Sequence, residues 1–277
     1  MSWIEAILIG IVQGLSEFLP ISSTAHMTLA GRGLDIITSP EAWTAFIAVV
    51  QLGTLAAVLL YFRRDLITIT RSFVTENLQR TPFASQSTDA RMGWYMILGT
   101  IPIAVIGLLF KDFIEGAFTK DLLVIGISLF ALGVILEIAE RSGRFDRTIE
   151  KITLSDALWI GLAQVLALIP GSSRSGTTIT AGMFLGLTRE ASARFSFLLS
   201  VPAIGASGLL KFVEIAPTLE SDGYVTIAIA TVVSAVSGYL CIAFLLRYLR
   251  TRTMRPFVFY RCALGIALIV GALTGVL

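Results

Sequence analysis

"IGIVQGLSEFLPISS", residues 9–23, returns in outline in the second half of the chain as "IGLAQVLALIPGSS", residues 160–173. Gly10, Gln13, Pro20, Ser22 and Ser23 answer to Gly161, Gln164, Pro170, Ser172 and Ser173, with a one-residue deletion between the glutamine and the proline. In both copies a Pro-Ser-Ser turn splits an apolar stretch into two short pieces. Three longer apolar runs follow each copy, so the chain reads as a duplication, with repeat one at 1–145 and repeat two at 153–277 of a single membrane domain.

The long runs are Thr44 to Phe62, Met92 to Phe110, Leu122 to Ala139, Phe195 to Leu210, Tyr224 to Leu246 and Phe257 to Leu277. Each approaches the ~20 residues that cross a bilayer. The chain is 55% hydrophobic and 14% charged with mean hydropathy +0.83, against roughly 25% charged in a soluble domain. The short pieces, Trp3 to Leu15, Ile21 to Gly31, Ser155 to Ile169 and Thr177 to Leu187, are below spanning length. Trp3 to Leu15 lacks a basic leader and a small-residue cleavage site, so it is expected to stay in the protein. The predicted fold is an all-α polytopic membrane protein of six full spans and ten helical segments, each half one re-entrant helical hairpin plus three transmembrane helices.

Three crossings per half is an odd number, so the second half starts from the opposite side and the repeats are inverted. Charge gives a separate test, because Lys and Arg gather on the cytoplasmic side. The loops predicted inside, Arg63 to Arg91, Arg141 to Lys151, Arg189 to Arg194 and Arg247 to Arg255, hold fifteen of them. Those predicted outside hold four, Arg32, Lys111, Lys120 and Lys211. Both termini are therefore expected outside. The net charge of +2 and the lack of a basic stripe interleaved with aromatics argue against nucleic acid as a partner. Cys241 and Cys262 form no CxxC or Cys/His cluster and read as core residues.

An interrupted helix in hydrocarbon strands backbone polar groups, which is tolerated only in a protein interior or beside a wet cavity. Inverted repeats with broken helices aim the positive ends of half-helices at a central site, where anions bind. The second turn, "PGSSRSGTT" at 170–178, holds the parts of a phosphate cradle. Gly171 and Gly176 let the backbone approach, Ser172, Ser173, Ser175 and Thr178 donate, and Arg174 can grip phosphate in bidentate fashion. An arginine at membrane depth costs at least ~2.5 to 3.5 kcal/mol on insertion scales, so it is not idle loop charge. In the first turn Gln13 and Glu17 stand i, i+4 on one helix face, and the Pro20 bend brings Ser22, Ser23 and His26 back toward them. A carboxylate there can hold a cation or move a proton, a hydroxyl or imidazole can attack phosphorus, and the arginine can steady charge on the oxygens.

"QGLSEFLPISSTAH" (Gln13 to His26) resembles the first signature of the undecaprenyl pyrophosphate phosphatases, the bacitracin-resistance family, and "PGSSRSGTT" resembles the second, PGxSRSxxT. The resemblance runs the whole chain, taking in "VVQLGTLAAV" around Gln51 and "FYR" at Phe259 to Arg261. It implies a membrane hydrolase that removes the terminal phosphate of undecaprenyl pyrophosphate, recycling the lipid carrier for cell-wall synthesis. It also implies dependence on Mg2+ or Ca2+ and a pocket open to the periplasm or cell exterior from the bacterial inner membrane. By the same resemblance Glu17 is the essential carboxylate, His26 and Ser23 are candidates for nucleophile or acid/base, and Arg174 is the phosphate clamp. Ser22, Ser173 and Thr178 support it. Many members carry a second glutamate where this chain has Gln13; an amide oxygen can still ligate a hard cation but cannot shuttle a proton, so metal binding is assigned chiefly to Glu17 with Gln13 auxiliary.

The expected partners are a polyprenyl diphosphate and membrane lipids, with a homodimer left open. The competing class is a transporter or flippase for an anionic lipid phosphate, since inverted repeats around an anion site are the usual architecture of carriers. His26 and Ser23 discriminate, because a carrier needs no nucleophile beside a carboxylate. Gln51 and the pair Tyr260-Arg261 read equally as pocket lining or as interhelical hydrogen bonds.

Overall fold

The computed structural model describes residues 1–37, 39–111, 114, 121–215 and 221–275. Its described residues form eleven α-helices. In chain order they are α1 (Trp3–Phe18), α2 (Ser23–Gly33), α3 (Pro40–Tyr61), α4 (Arg63–Leu78), α5 (Thr88–Leu109), α6 (Leu122–Ser142), α7 (Leu154–Val165), α8 (Arg174–Phe184), α9 (Arg189–Ile215), α10 (Ser221–Leu249) and α11 (Arg255–Thr274). The six predicted runs fall on α3, α5, α6, α9, α10 and α11, all long and apolar enough to cross a membrane. Lys120 and the last two residues of the final run lie outside the described residues.

The helices outrun their apolar stretches because polar caps extend them. Ser39, Ser87 and Asp121 each accept from a first-turn amide of α3, α5 and α6, where an oxygen ligand satisfies otherwise orphaned donors. The short pieces form short helices. α1 and α2 are separated by Leu19 to Ser22, and α7 passes through a 3-10 turn, Leu166–Leu168, before the break that precedes α8.

One element departs from the sequence expectation of ten segments. The stretch taken as loop between the first two spans forms α4, whose apolar Leu66, Ile69 and Phe73 recur at helical spacing. Leu66 and Ile69 join the main core, Phe73 meets the ring of Trp94 at 5.1 Å, and Asp65 accepts from Arg194 of α9 at 2.8 Å. Its charged residues keep its mean hydropathy below any spanning criterion, which is why the segment passed for loop.

The packing runs between distant parts of the chain. α1 lies along α10 and α7 along α5; α3 packs on both α9 and α10, α9 also on α5, and α6 on α11. Small residues allow the close crossings: a Cβ on Gly161 of α7 would sit 2.3 Å from the Gly99 carbonyl oxygen of α5. The outward faces are oily. Leu8, Ile11 and Leu15 of α1, Ile101 and Val105 of α5, and Val232 and Val236 of α10 are all exposed, a surface suited to lipid and not to water.

Candidate active site

The two turns are built alike. Ser22 and Ser173, the residues just before α2 and α8, both have left-handed φ, 76° and 68°, with ψ of 102° and 111°. Each turns its hydroxyl onto the helix it opens, Ser22 Oγ accepting from Ala25 N at 3.3 Å and Ser173 Oγ from Gly176 N at 3.1 Å. A serine at such angles costs about 1–3 kcal/mol, a strain that persists only where surroundings impose it. The shared geometry corrects the register read from sequence: Ser22 matches Ser173, not Ser172, and Gln13 then matches Gln164 without the deletion. On that register Ser23 matches Arg174.

Gly171 in the second turn has φ +89°, and a Cβ there would lie 2.4 Å from the carbonyl oxygen of Ile125. Any other residue would push the turn off α6.

The turns meet. Arg174 Nη2 donates to Glu17 Oε1 at 2.8 Å, while Gln13 Nε2 and Gln51 Nε2 donate to Glu17 Oε2 at 2.8 and 3.2 Å. The carboxylate side chain is 2% exposed, so it sits in a dry place held by one cation and two amides. Ser175 Oγ adds a bond across the junction to the Leu19 carbonyl at 3.1 Å. Two polar atoms at this junction, Arg174 Nη1 and Gln13 Oε1, are buried without a partner among the described residues. One is a donor and the other an acceptor, each carrying the penalty of an unmet hydrogen bond.

Behind both turns stands Arg261 of α11, fully buried. Its guanidinium donates to the carbonyls of Pro20 (3.2 Å), Ser172 (2.9 Å), Gly171 (3.5 Å) and Leu129 (3.4 Å). One cation thus satisfies the carbonyls that two broken helices leave open. Gly176 leaves room for it, since a Cβ there would come within 2.5 Å of Arg261 Nη1.

Other residues named from sequence take different places. Ser172 Oγ faces Ser128 Oγ of α6 at 3.2 Å, and Thr178 Oγ1 bonds Ser196 Oγ of α9 at 2.6 Å and the Arg174 carbonyl at 2.8 Å. Both hydroxyls are engaged between helices. Ser173 and Ser175 are spent on the turn itself, 3.2 Å apart. Ser23, half-buried at the first position of α2, has no hydroxyl partner among the described residues. His26, one turn further on, reaches the Ser22 carbonyl through Nδ1 at 2.8 Å and the Tyr260 hydroxyl through Nε2 at 2.6 Å.

Gln51 is the residue whose place the sequence left most open. It serves the site, and beside it a cavity of about 200 Å³ is lined by Thr24, Thr28, Trp43, Thr44, Leu168 and Pro170. A lining that mixes threonine hydroxyls with apolar side chains suits an amphipathic ligand. No three His, Cys, Asp or Glu cluster as a ready-made metal site among the described residues.

Six helices long and apolar enough to cross a membrane, with a carboxylate and an arginine paired in the interior, mark a multi-pass membrane protein. The bacitracin resistance protein BacA family matches residues 6–267, and the chain belongs to that family. It is 54% identical over 272 residues to the undecaprenyl-diphosphatase of Syntrophobacter fumaroxidans, covering 97% of each chain. To the undecaprenyl-diphosphatase of Chloroherpeton thalassium it is 49% identical, covering 97% of this chain and 96% of that one. The protein of the same name from Chlorobaculum parvum is 48% identical over 99% of both.

Proposed function

We propose that this protein is an undecaprenyl-diphosphatase, a membrane hydrolase converting undecaprenyl pyrophosphate to undecaprenyl phosphate and inorganic phosphate. The reaction recycles the carrier lipid for peptidoglycan synthesis and underlies bacitracin resistance. The observation that carries the reading is the Glu17–Arg174 pair between the two turns, at 2.8 Å, flanked by an unmet donor and an unmet acceptor. A diphosphate bound there offers oxygen to Arg174 Nη1. Its charge draws the guanidinium partly from Glu17, and the guanidinium is placed to stabilise the oxygens as the bridge to the terminal phosphorus breaks.

A divalent cation, Mg2+ or Ca2+, fits the remaining groups. Glu17 and the partnerless Oε1 of Gln13 are hard oxygen ligands, and the head group would supply the others; when bound, the ion neutralises diphosphate charge. Ser23 is the nucleophile the geometry favours, its hydroxyl being free while His26 Nε2 is engaged. The two are three residues apart on α2 and share a helix face, which suits His26 Nε2 to accept the proton Ser23 gives up once the Tyr260 hydroxyl releases that nitrogen.

We assign the halves as inverted repeats, each a re-entrant hairpin followed by three spans, α4 being an addition to the first. Exchanging α1, α2, α3, α5 and α6 for α7, α8, α9, α10 and α11 turns the α1–α10 pairing into α7–α5 and the α3–α10 pairing into α9–α5, while α3–α9 and α6–α11 map onto themselves. The charge asymmetry supports reading the protein as one of the bacterial inner membrane with its site opening to the periplasm or exterior.

The test is metal-dependent phosphate release from undecaprenyl pyrophosphate by detergent-purified protein. EDTA should abolish it, and Mg2+ or Ca2+ should restore it. Glu17→Ala and Arg174→Ala should each lower turnover at least a thousandfold, and wild-type rates in either would remove the assignment. Vesicle uptake of lipid phosphate without hydrolysis would favour the transporter reading instead.

A further inference from the structure

His26 is the only histidine of the chain, and both of its ring nitrogens are engaged. A carbonyl oxygen can only accept, so the 2.8 Å contact with Ser22 O requires a hydrogen on Nδ1. In the neutral ring Nε2 then carries the lone pair, and the Tyr260 hydroxyl 2.6 Å away must be the donor. The two rings lie nearly parallel, 14° between planes and 5.5 Å between centroids, so the phenol meets the imidazole edge in a single orientation. Tyr260 immediately precedes Arg261, whose guanidinium grips the carbonyls of both turns. The register of α11 that seats Arg261 therefore aims the phenol as well.

We infer that Tyr260 is a positioning residue for the hydrolysis: it holds His26 as the neutral Nδ1–H tautomer and fixes the direction of Nε2, the nitrogen that takes a proton once the phenol hydroxyl turns aside. Ser22 supplies the other half of the clamp through its carbonyl, so the left-handed turn that opens α2 also sets the tautomer. Nothing in the packing of α11 demands a phenol at this position, because Tyr260 is 46% exposed while its neighbour Arg261 is fully buried. The role assumes that the first turn is the phosphatase site.

The solitary histidine makes the test direct. Nitrogen NMR of protein labelled only at histidine should show, in the wild type, one protonated nitrogen and one bare, hydrogen-bonded nitrogen. In Tyr260→Phe the bare nitrogen should lose its hydrogen-bonded shift, and phosphate release should fall by about ten- to hundredfold, as when outer partners of orienting imidazoles are removed. The unfolding temperature should stay that of the wild type. An identical histidine spectrum in Tyr260→Phe, or full turnover in that variant, would overturn the assignment. Should the wild type itself release no phosphate, the functional reading falls, and the spectra still decide whether Tyr260 sets the tautomer.

Discussion

At the scale of single residues, the central pair is asymmetric. Removing Arg174 leaves Glu17 with its two amide donors, whereas removing Glu17 strands the guanidinium and both amides at once. Glu17→Ala and Arg174→Ala each leave an uncompensated buried charge and should each cost about 3–5 kcal/mol of stability, Glu17→Ala the more because it also strands both amides. Denaturation in detergent would measure both, and an unchanged stability in either variant would argue against the pairing. The strained serines allow a sharper comparison. Ser22→Gly keeps the left-handed turn at a cost of a few tenths of a kcal/mol for the lost cap, while Ser22→Ala loses the cap and keeps the strain, so alanine should be worse by about 1 kcal/mol. Glu17, Arg174 and the serines could be found in the sequence because Pro, Gly and charge interrupt an oily background. The partnership of Gln51 with Glu17 could not, for a glutamine inside a span reads the same whether it serves a site or a neighbouring helix.

Elements were legible where hydropathy and caps agree. The six long helices and the four short ones follow the apolar runs, whereas α4 was hidden because its buried stripe is narrow and its outer face charged. The register between the two turns was equally hidden: matching Pro20 to Pro170 is natural by letter, but the shared backbone angles of Ser22 and Ser173 put Pro20 opposite Gly171. Crossings of glycine against backbone are fragile, so Gly161→Leu should prise α7 from α5 and lower the yield of folded protein, with Gly107→Leu, at an open position, as the tolerant control. The start of α7 is fastened differently. Burial alone would raise the Asp156 carboxyl, but hydrogen bonds from Arg147 and Thr153 outweigh it and hold the group below the ordinary value of 3.8. Its contribution is complete above that value and is lost as pH falls through the lower folded-state value. Melting temperature measured against pH should accordingly decline less steeply on the acid side in Asp156→Asn than in the wild type.

Over the whole molecule, the sequence conveyed six long apolar helices and two polar turns expected to face one ligand, and it withheld most of the individual contacts between distant helices. Residues 26 and 260 carry no mark of their proximity, because lipid-facing and protein-facing surfaces in a membrane are written in the same apolar letters. The orientation is open to a chemical test: a lone cysteine at position 80 should resist an impermeant thiol reagent applied from outside, and one placed between positions 111 and 121 should react. The reverse pattern would invert the assignment.

Arg261 has a bearing on how such a chain is made. It sits in α11, far along the chain, whereas the carbonyls it serves at Pro20 and Ser172 enter the bilayer earlier in translation. Until α11 arrives, both helix breaks hang open in hydrocarbon or fill with water, so a nascent chain is an incomplete and inert object. A stop codon anywhere before 261 should yield a product that membrane proteases clear, however much of the site it already carries.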